Sequence, residues 1–324
     1  MKTVALLSML PFALYGIWRA LMALQYQAAR YKARRVESSR RYDPVFGYHL
    51  DGGEPLFLVD PANSRTLFFL EGFRTQSPAG MYRKRFEELF ARGTNVVVPV
   101  YGLQSSSFEL RNRDWRLEED LRLVRQTYDA YVASLPAGHR VVLCSQSFGA
   151  LPALAVAASA ARRPDALVFL SPHNEGLDFK VSGPVVRWLA RQSSWLRFVL
   201  RYSMASPAPG RASVWDIADR ELNLAVAARG DANPEDSSEY GWKNAQAARF
   251  ARERLLPGIS GYTASVVWGG QDLYFSQQGF SSFASALAKN NAVSPLALER
   301  SGHMVLLDAQ ADEAWGVIDT MFRV

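Results

Sequence analysis

With 324 residues, 48% of them hydrophobic, the chain has material for one large domain with a substantial core, and a disordered chain is excluded. One cysteine, Cys144, and four scattered histidines (His49, His139, His173 and His303) exclude a disulfide framework and give no metal-ligand spacing. The net charge of +6 is local: residues 1–41 hold eight basic side chains against Glu37 alone, so the other 283 residues sum to −1, and nucleic-acid binding by the body of the protein is excluded.

Taken in chain order, Thr3 to Leu24 is apolar apart from Arg19 and a few small polar residues, close to the length of a spanning helix but weakened by Pro11 and Gly16. Three readings compete. Residues 3–24 form a membrane anchor or interfacial segment, with the basic run Arg30 to Arg41 against anionic lipid on the cytoplasmic side. Or they are a signal peptide removed on export, although no A-x-A-like site follows. Or they are an amphipathic helix packed on the protein itself. The first is favoured, which makes the protein membrane-associated with its folded body on the cytoplasmic side.

Val45 to Val59 reads as two strands about the hairpin signal Asp51-Gly52-Gly53. Thr66 to Leu70 is a buried strand running into Glu71-Gly72-Phe73-Arg74. Pro78 to Arg92 has helical spacing, Asn95 to Val100 is a strand, and Asp114 to Leu135 is a helix with Leu121, Val124, Tyr128 and Tyr131 among charges. Val141 to Cys144 is a β-branched apolar strand, Ser145 to Gly149 a tight turn, and Ala150 to Ala161 a buried helix. Ala166 to Leu170 is again a strand. From Pro172 to about Pro257 no strand is evident, and this reads as a helical insertion. Alternation resumes with a strand Thr263 to Trp268, a helix near Phe275 to Lys289, a strand Ser294 to Glu299 and a helix Ala309 to Phe322. Such alternation marks an α/β protein with a mostly parallel, doubly wound sheet. The organisation is therefore an apolar, basic N-terminal segment (1–41), a first core part (42–171), an inserted cap (172–257) and a second core part (258–324).

The chemistry centres on Ser145-Gln146-Ser147-Phe148-Gly149. Strand, sharp turn and helix form a nucleophile elbow, in which the middle serine sits on a strained bend and the residues two before and two after it are small. Ser145 stands where glycine is usual. A serine hydroxyl needs a base within hydrogen-bond reach and a carboxylate to orient that base. Asp272, in GGQD after the strand ending at Trp268, and His303, in SGHM before the last helix, each follow the C-terminal end of their own strand, the edge where open α/β sheets collect their sites.

On these motifs the chain from 43 to 324 resembles the α/β-hydrolase fold serine hydrolases of the esterase and lipase type. The resemblance implies Ser147 as nucleophile, Asp272 as acid and His303 as base, in the family's chain order. It also implies two oxyanion donors, the backbone N–H groups of Phe148 and of Phe73, the latter in a loop that has Glu71 where the family often has histidine. Glu71 would have Arg74, Arg111 or Arg113 as candidate partners. The substrate implied is a small lipophilic ester, with Trp188, Trp195 and Tyr274 as candidate contacts and no cofactor or metal. Serine at position 147 excludes the dehalogenases and epoxide hydrolases of this fold, which need a carboxylate there. A thioesterase or acyltransferase on the same triad stays open, as does a catalytically silent, membrane-tethered binding protein, and the oligomeric state is not specified.

Overall fold

The structure, a computed structural model, describes residues 55–72, 82–99, 101, 117–173, 216–221 and 250–324. The expected N-terminal segment, the first arm of the 45–59 hairpin and most of the 172–257 insertion lie outside the described residues, as do Phe73, Arg74, Arg111, Arg113, Trp188 and Trp195. Among the described residues no helix is long and apolar enough to cross a membrane.

Seven strands form one sheet: β1 (Leu56–Leu58), β2 (Arg65–Leu70), β3 (Asn95–Val98), β4 (Arg140–Gln146), β5 (Ala166–Leu170), β6 (Thr263–Gly269) and β7 (Ala292–Leu298). Their spatial order is β1-β3-β2-β4-β5-β6-β7. All neighbours are parallel except β1, which pairs antiparallel with β3. Five helices accompany them among the described residues: α1 (Arg83–Ala91), α2 (Leu117–Ala133), α3 (Ala150–Ser159), α4 (Gln277–Ala288) and α5 (Ala311–Met321).

The central strands are mostly apolar because both faces of the sheet are covered there. Along β2, Phe68 and Leu70 face a layer with Val124 and Tyr128 of α2, Leu151 and Leu154 of α3, and Phe280 and Phe283 of α4. Leu67 and Phe69, one residue out of phase, face Phe86 and Leu89 of α1 and Trp315 and Ile318 of α5. Helix α3 is apolar around its whole circumference, with Ala150 to Ala157 all buried, which is what a helix held deep in a layer requires.

Element ends differ from the sequence reading for local reasons. Strand β3 stops at Val98, just before Pro99, which has no N–H for the ladder. Strand β7 begins at Ala292 and carries Pro295, which the sheet tolerates because β7 is the edge strand. Helix α4 begins two residues later than expected, where the Ser276 side chain accepts a hydrogen bond from Gly279 N. Chain order reverses between β2 and β4: β3 lies on one side of β2 and β4 on the other. That switch opens a crevice at the carboxyl ends of β2 and β4, the location where open α/β sheets hold their ligands.

Cys144 is fully buried in β4, and burial pushes its thiol well above the ordinary cysteine range. Native protein should therefore give no rapid thiol titre with Ellman's reagent, whereas protein unfolded in guanidinium should give one thiol per chain. A fast native reaction would contradict this packing.

Candidate active site

The crevice is built from strand ends. Strand β4 ends in extended backbone at Gln146, and Ser147 then turns to φ +50 before a single 3₁₀ turn leads into α3. Positive φ is costly for a residue with a Cβ and persists only where the surroundings enforce it. The enforcement is visible on both sides. A Cβ on Gly149 would lie 2.2 Å from Leu70 O and 2.8 Å from Glu71 O, so only glycine lets the end of β2 cross the elbow. A Cβ on Gly72 would lie 3.1 Å from the Ser147 Cβ and 3.7 Å from its Oγ, so the loop after β2 rests directly on the serine. Within Val141 to Ala150, Ser147 alone is not fully buried, while its nine neighbours in that stretch are. Ser145, the substitute for the usual glycine, is fully buried and donates its hydroxyl to Val168 O on β5 at 3.4 Å.

Asp272 lies in the turn after β6 and is fully buried. Its Oδ1 accepts hydrogen bonds from Tyr274 N at 2.8 Å and Phe275 N at 2.9 Å, and its Oδ2 is 2.7 Å from His303 Nδ1. A carboxylate only accepts, so this contact puts the imidazole proton on Nδ1 and leaves Nε2 with the lone pair. His303 follows β7 and is itself buried, packed against Tyr274 with ring centroids 5.5 Å apart and Phe275 at 5.4 Å. Burial alone would lower the imidazole pKa. The charge and hydrogen bond of Asp272, with the Asp216 carboxylate behind it, outweigh burial and raise it above the ordinary 6.5.

The structure thus brings Asp272 and His303 into contact and sets Ser147 at the end of β4, two strands from β6 on the same sheet edge. Phe275, against His303, also packs on His173, whose ring meets that of Phe148 and whose N–H donates to Ser147 O at 2.9 Å. Among the described residues, no hydrogen bond joins the Ser147 hydroxyl to His303. Unliganded sites often hold such pairs apart until substrate tightens them. Phe148 lies in the helical turn after Ser147, and Tyr274 borders the imidazole; Phe73, Trp188 and Trp195 are outside the described residues.

Three features escape the sequence reading. Tyr82 donates to Gln146 Oε1, and Gln146 Nε2 reaches Met304 Sδ at 3.1 Å, so the residue before Ser147 is tied to the residue after His303. His173 follows β5 as Asp272 follows β6, so position after a strand end was an available signal for it. Asp216 belongs to none of the motifs. With Ser147 and Ser171 it completes the set of non-glycine residues at positive φ among the described residues.

A seven-stranded, mostly parallel sheet with a serine elbow and an aspartate–histidine pair at its carboxyl edge is the architecture of the α/β hydrolases. The model of the alpha/beta hydrolase family matches residues 67–314, and the chain belongs to that family. This bears out the fold class and the resemblance read from the sequence. No curated protein matches the chain. Among solved structures the chain is similar to a monoacylglycerol lipase of Paleococcus ferrophilus, with TM-score 0.61 and 15% identity over 83% of this chain and 97% of that one. It is also similar to one from a study of two metagenome-derived lipolytic enzymes, with TM-score 0.60 and 15% identity over 85% and 99%. An enol-lactonase of Burkholderia xenovorans gives TM-score 0.54 and 16% identity over 84% and 96%. At such identities the likeness is one of fold, and the chemistry has to be argued from the side chains.

Proposed function

We propose that the protein is a serine hydrolase that cleaves carboxylic esters, lipophilic ones in particular, through an acyl-enzyme. Ser147 attacks the ester carbonyl, and His303 Nε2 takes the hydroxyl proton and passes it to the leaving alcohol. Asp272 holds the imidazole tautomer and balances its charge, and water then releases the acyl group by the same relay. The N–H groups of Phe148 and Phe73 are the proposed oxyanion donors, the first strengthened by the positive end of the helix. The single observation that carries this reading is the 2.7 Å bond between buried His303 and buried Asp272, on the sheet edge that also holds a serine at φ +50. Membrane association through residues 3–24, with the catalytic body on the cytoplasmic side, is part of the proposal and agrees with lipophilic substrates.

A fluorophosphonate probe tests the reading. Wild-type protein should label at Ser147, Ser147→Ala should not, and a panel of p-nitrophenyl esters should show turnover that rises with acyl length before it falls. Well-folded wild-type protein that takes no label would favour instead a silent binding protein, the reading suggested by the missing Ser147–His303 hydrogen bond.

The base must be neutral to accept a proton, so kcat/KM should fall as pH drops through the raised imidazole pKa. Its acid limb should lie above pH 6.5, and Asp272→Asn should move it down. A limb below pH 6 in wild-type protein would count against His303 as the base.

A further inference from the structure

Asp216 lies between β5 and β6 in the chain, in the short described stretch 216–221, and is fully buried. Its backbone is at φ +48, a conformation aspartate tolerates better than most residues but still at a cost. Three of its hydrogen bonds lead to the catalytic loops. Asp216 Oδ2 accepts from Leu273 N, the residue after Asp272, at 2.7 Å, and lies 3.3 Å from His303 N. Asp216 O accepts from the same His303 N at 2.8 Å. The approach is close enough that a Cβ on Gly302 would stand 2.3 Å from Asp216 O.

A second carboxylate closes the arrangement from the other side. Asp308, just before α5, accepts from Ala218 N and, at 2.8 Å, from Asp219 N, so it grips the segment that carries Asp216. It also accepts from Gly302 N at 2.7 Å, one residue before His303. Each carboxylate thus holds backbone N–H groups of the chain segment that bears the other or that flanks the imidazole.

We propose that Asp216 is a positioning residue for the general base: its one side chain fixes the backbones of both the Asp272 loop and His303, and its negative charge backs the imidazolium formed during acyl transfer, with Asp308 locking it in place. The proposal rests on the reading of His303 as base. Among the described residues, the charged and titratable groups around that ring are Asp272 in direct contact, Asp216 behind it, Asp308 beyond Gly302, and Tyr274 edge-on. A purely structural clip would need only an acceptor oxygen. A charge that assists the base must also appear in the titration of the site.

The test compares Asp216→Asn, which keeps an acceptor and removes the charge, with Asp216→Ala, which removes both. For each, kcat and KM for p-nitrophenyl butyrate are measured across pH, alongside thermal melts. In Asp216→Asn the melting temperature should stay near that of wild type, the acid limb should move down by roughly half a pH unit or more, and kcat should fall about tenfold with KM within about twofold. In Asp216→Ala kcat should fall about a hundredfold. If Asp216→Asn does not fold, Asp216→Ser, another neutral acceptor, carries the same readout. A wild-type acid limb and kcat in the folded neutral variant would overturn the proposal, leaving Asp216 a structural clip. Fluorophosphonate labelling of wild-type protein separates the two failures: labelling with an unmoved limb defeats only the role of Asp216, and no labelling takes down both readings.

Discussion

Replacing His303 with alanine should lower kcat for ester hydrolysis by on the order of 10⁶-fold, leaving only what the oxyanion donors and substrate binding supply. The size follows from the division of labour. At neutral pH the Ser147 hydroxyl keeps its proton, and His303, held through Nδ1 by the buried Asp272 carboxylate on that sheet edge, supplies Nε2 as the base. Because the three side chains act as one relay, Ser147→Ala should lose as much as His303→Ala, and the double variant should be no slower than either. Asp272→Asn should lose less, about 10⁴-fold, since the base survives in the wrong tautomer. Stability separates chemistry from damage. Ser147 is partly exposed, so Ser147→Ala should melt as wild type does, whereas His303→Ala removes a hydrogen bond to the buried Asp272 carboxylate, at about 1–3 kcal/mol. Activity within tenfold of wild type in folded Ser147→Ala would end the acyl-enzyme proposal.

How far the sequence could be read depended on whether a residue's surroundings are local. The strand runs TLFFL, VVLC and ALVFL announce themselves because layers on both faces favour apolar side chains at nearly every position. Ser147, Asp272 and His303 could be picked out because each follows its own strand, and a parallel sheet gathers such positions at one edge whatever the intervening chain does. Asp216 could not be found in this way. Its partners are 57 and 87 residues away, Leu273 N and His303 N, and backbone groups leave no mark of their identity in a sequence. Gln146 was within the elbow motif but reads as a filler there; what gives it a role is Met304, 158 residues on. The Asp51-Gly52-Gly53 hairpin remains an expectation of the sequence, while its second arm pairs with β3 as the antiparallel edge strand β1.

Gly269→Ala should be among the most damaging single substitutions outside the relay, costing about 3 kcal/mol or more and most of the activity of whatever protein still folds. Gly269 closes β6 and has no unusual φ, so backbone freedom is not its role. Space is. A Cβ there would lie 1.9 Å from Gly302 O, 2.4 Å from Ser301 O and 2.6 Å from Gly302 C, all backbone atoms of the loop that delivers His303. No rotamer change relieves a clash between a Cβ and a carbonyl. The loop must move, and with it go the Gly302 N–H bond to Asp308 and the His303 N–H bond to Asp216. Gly316 in α5 is the internal control. It is exposed and nothing lies within 4 Å of an added Cβ, so Gly316→Ala should stabilise by about 0.5–1 kcal/mol through helix propensity. Urea denaturation of the two variants therefore measures opposite signs from the same chemical change. A Gly269→Ala protein as stable and as active as wild type would mean that the His303 loop does not cross the end of β6 as described, and the placement of His303 against Asp272 would lose its physical basis.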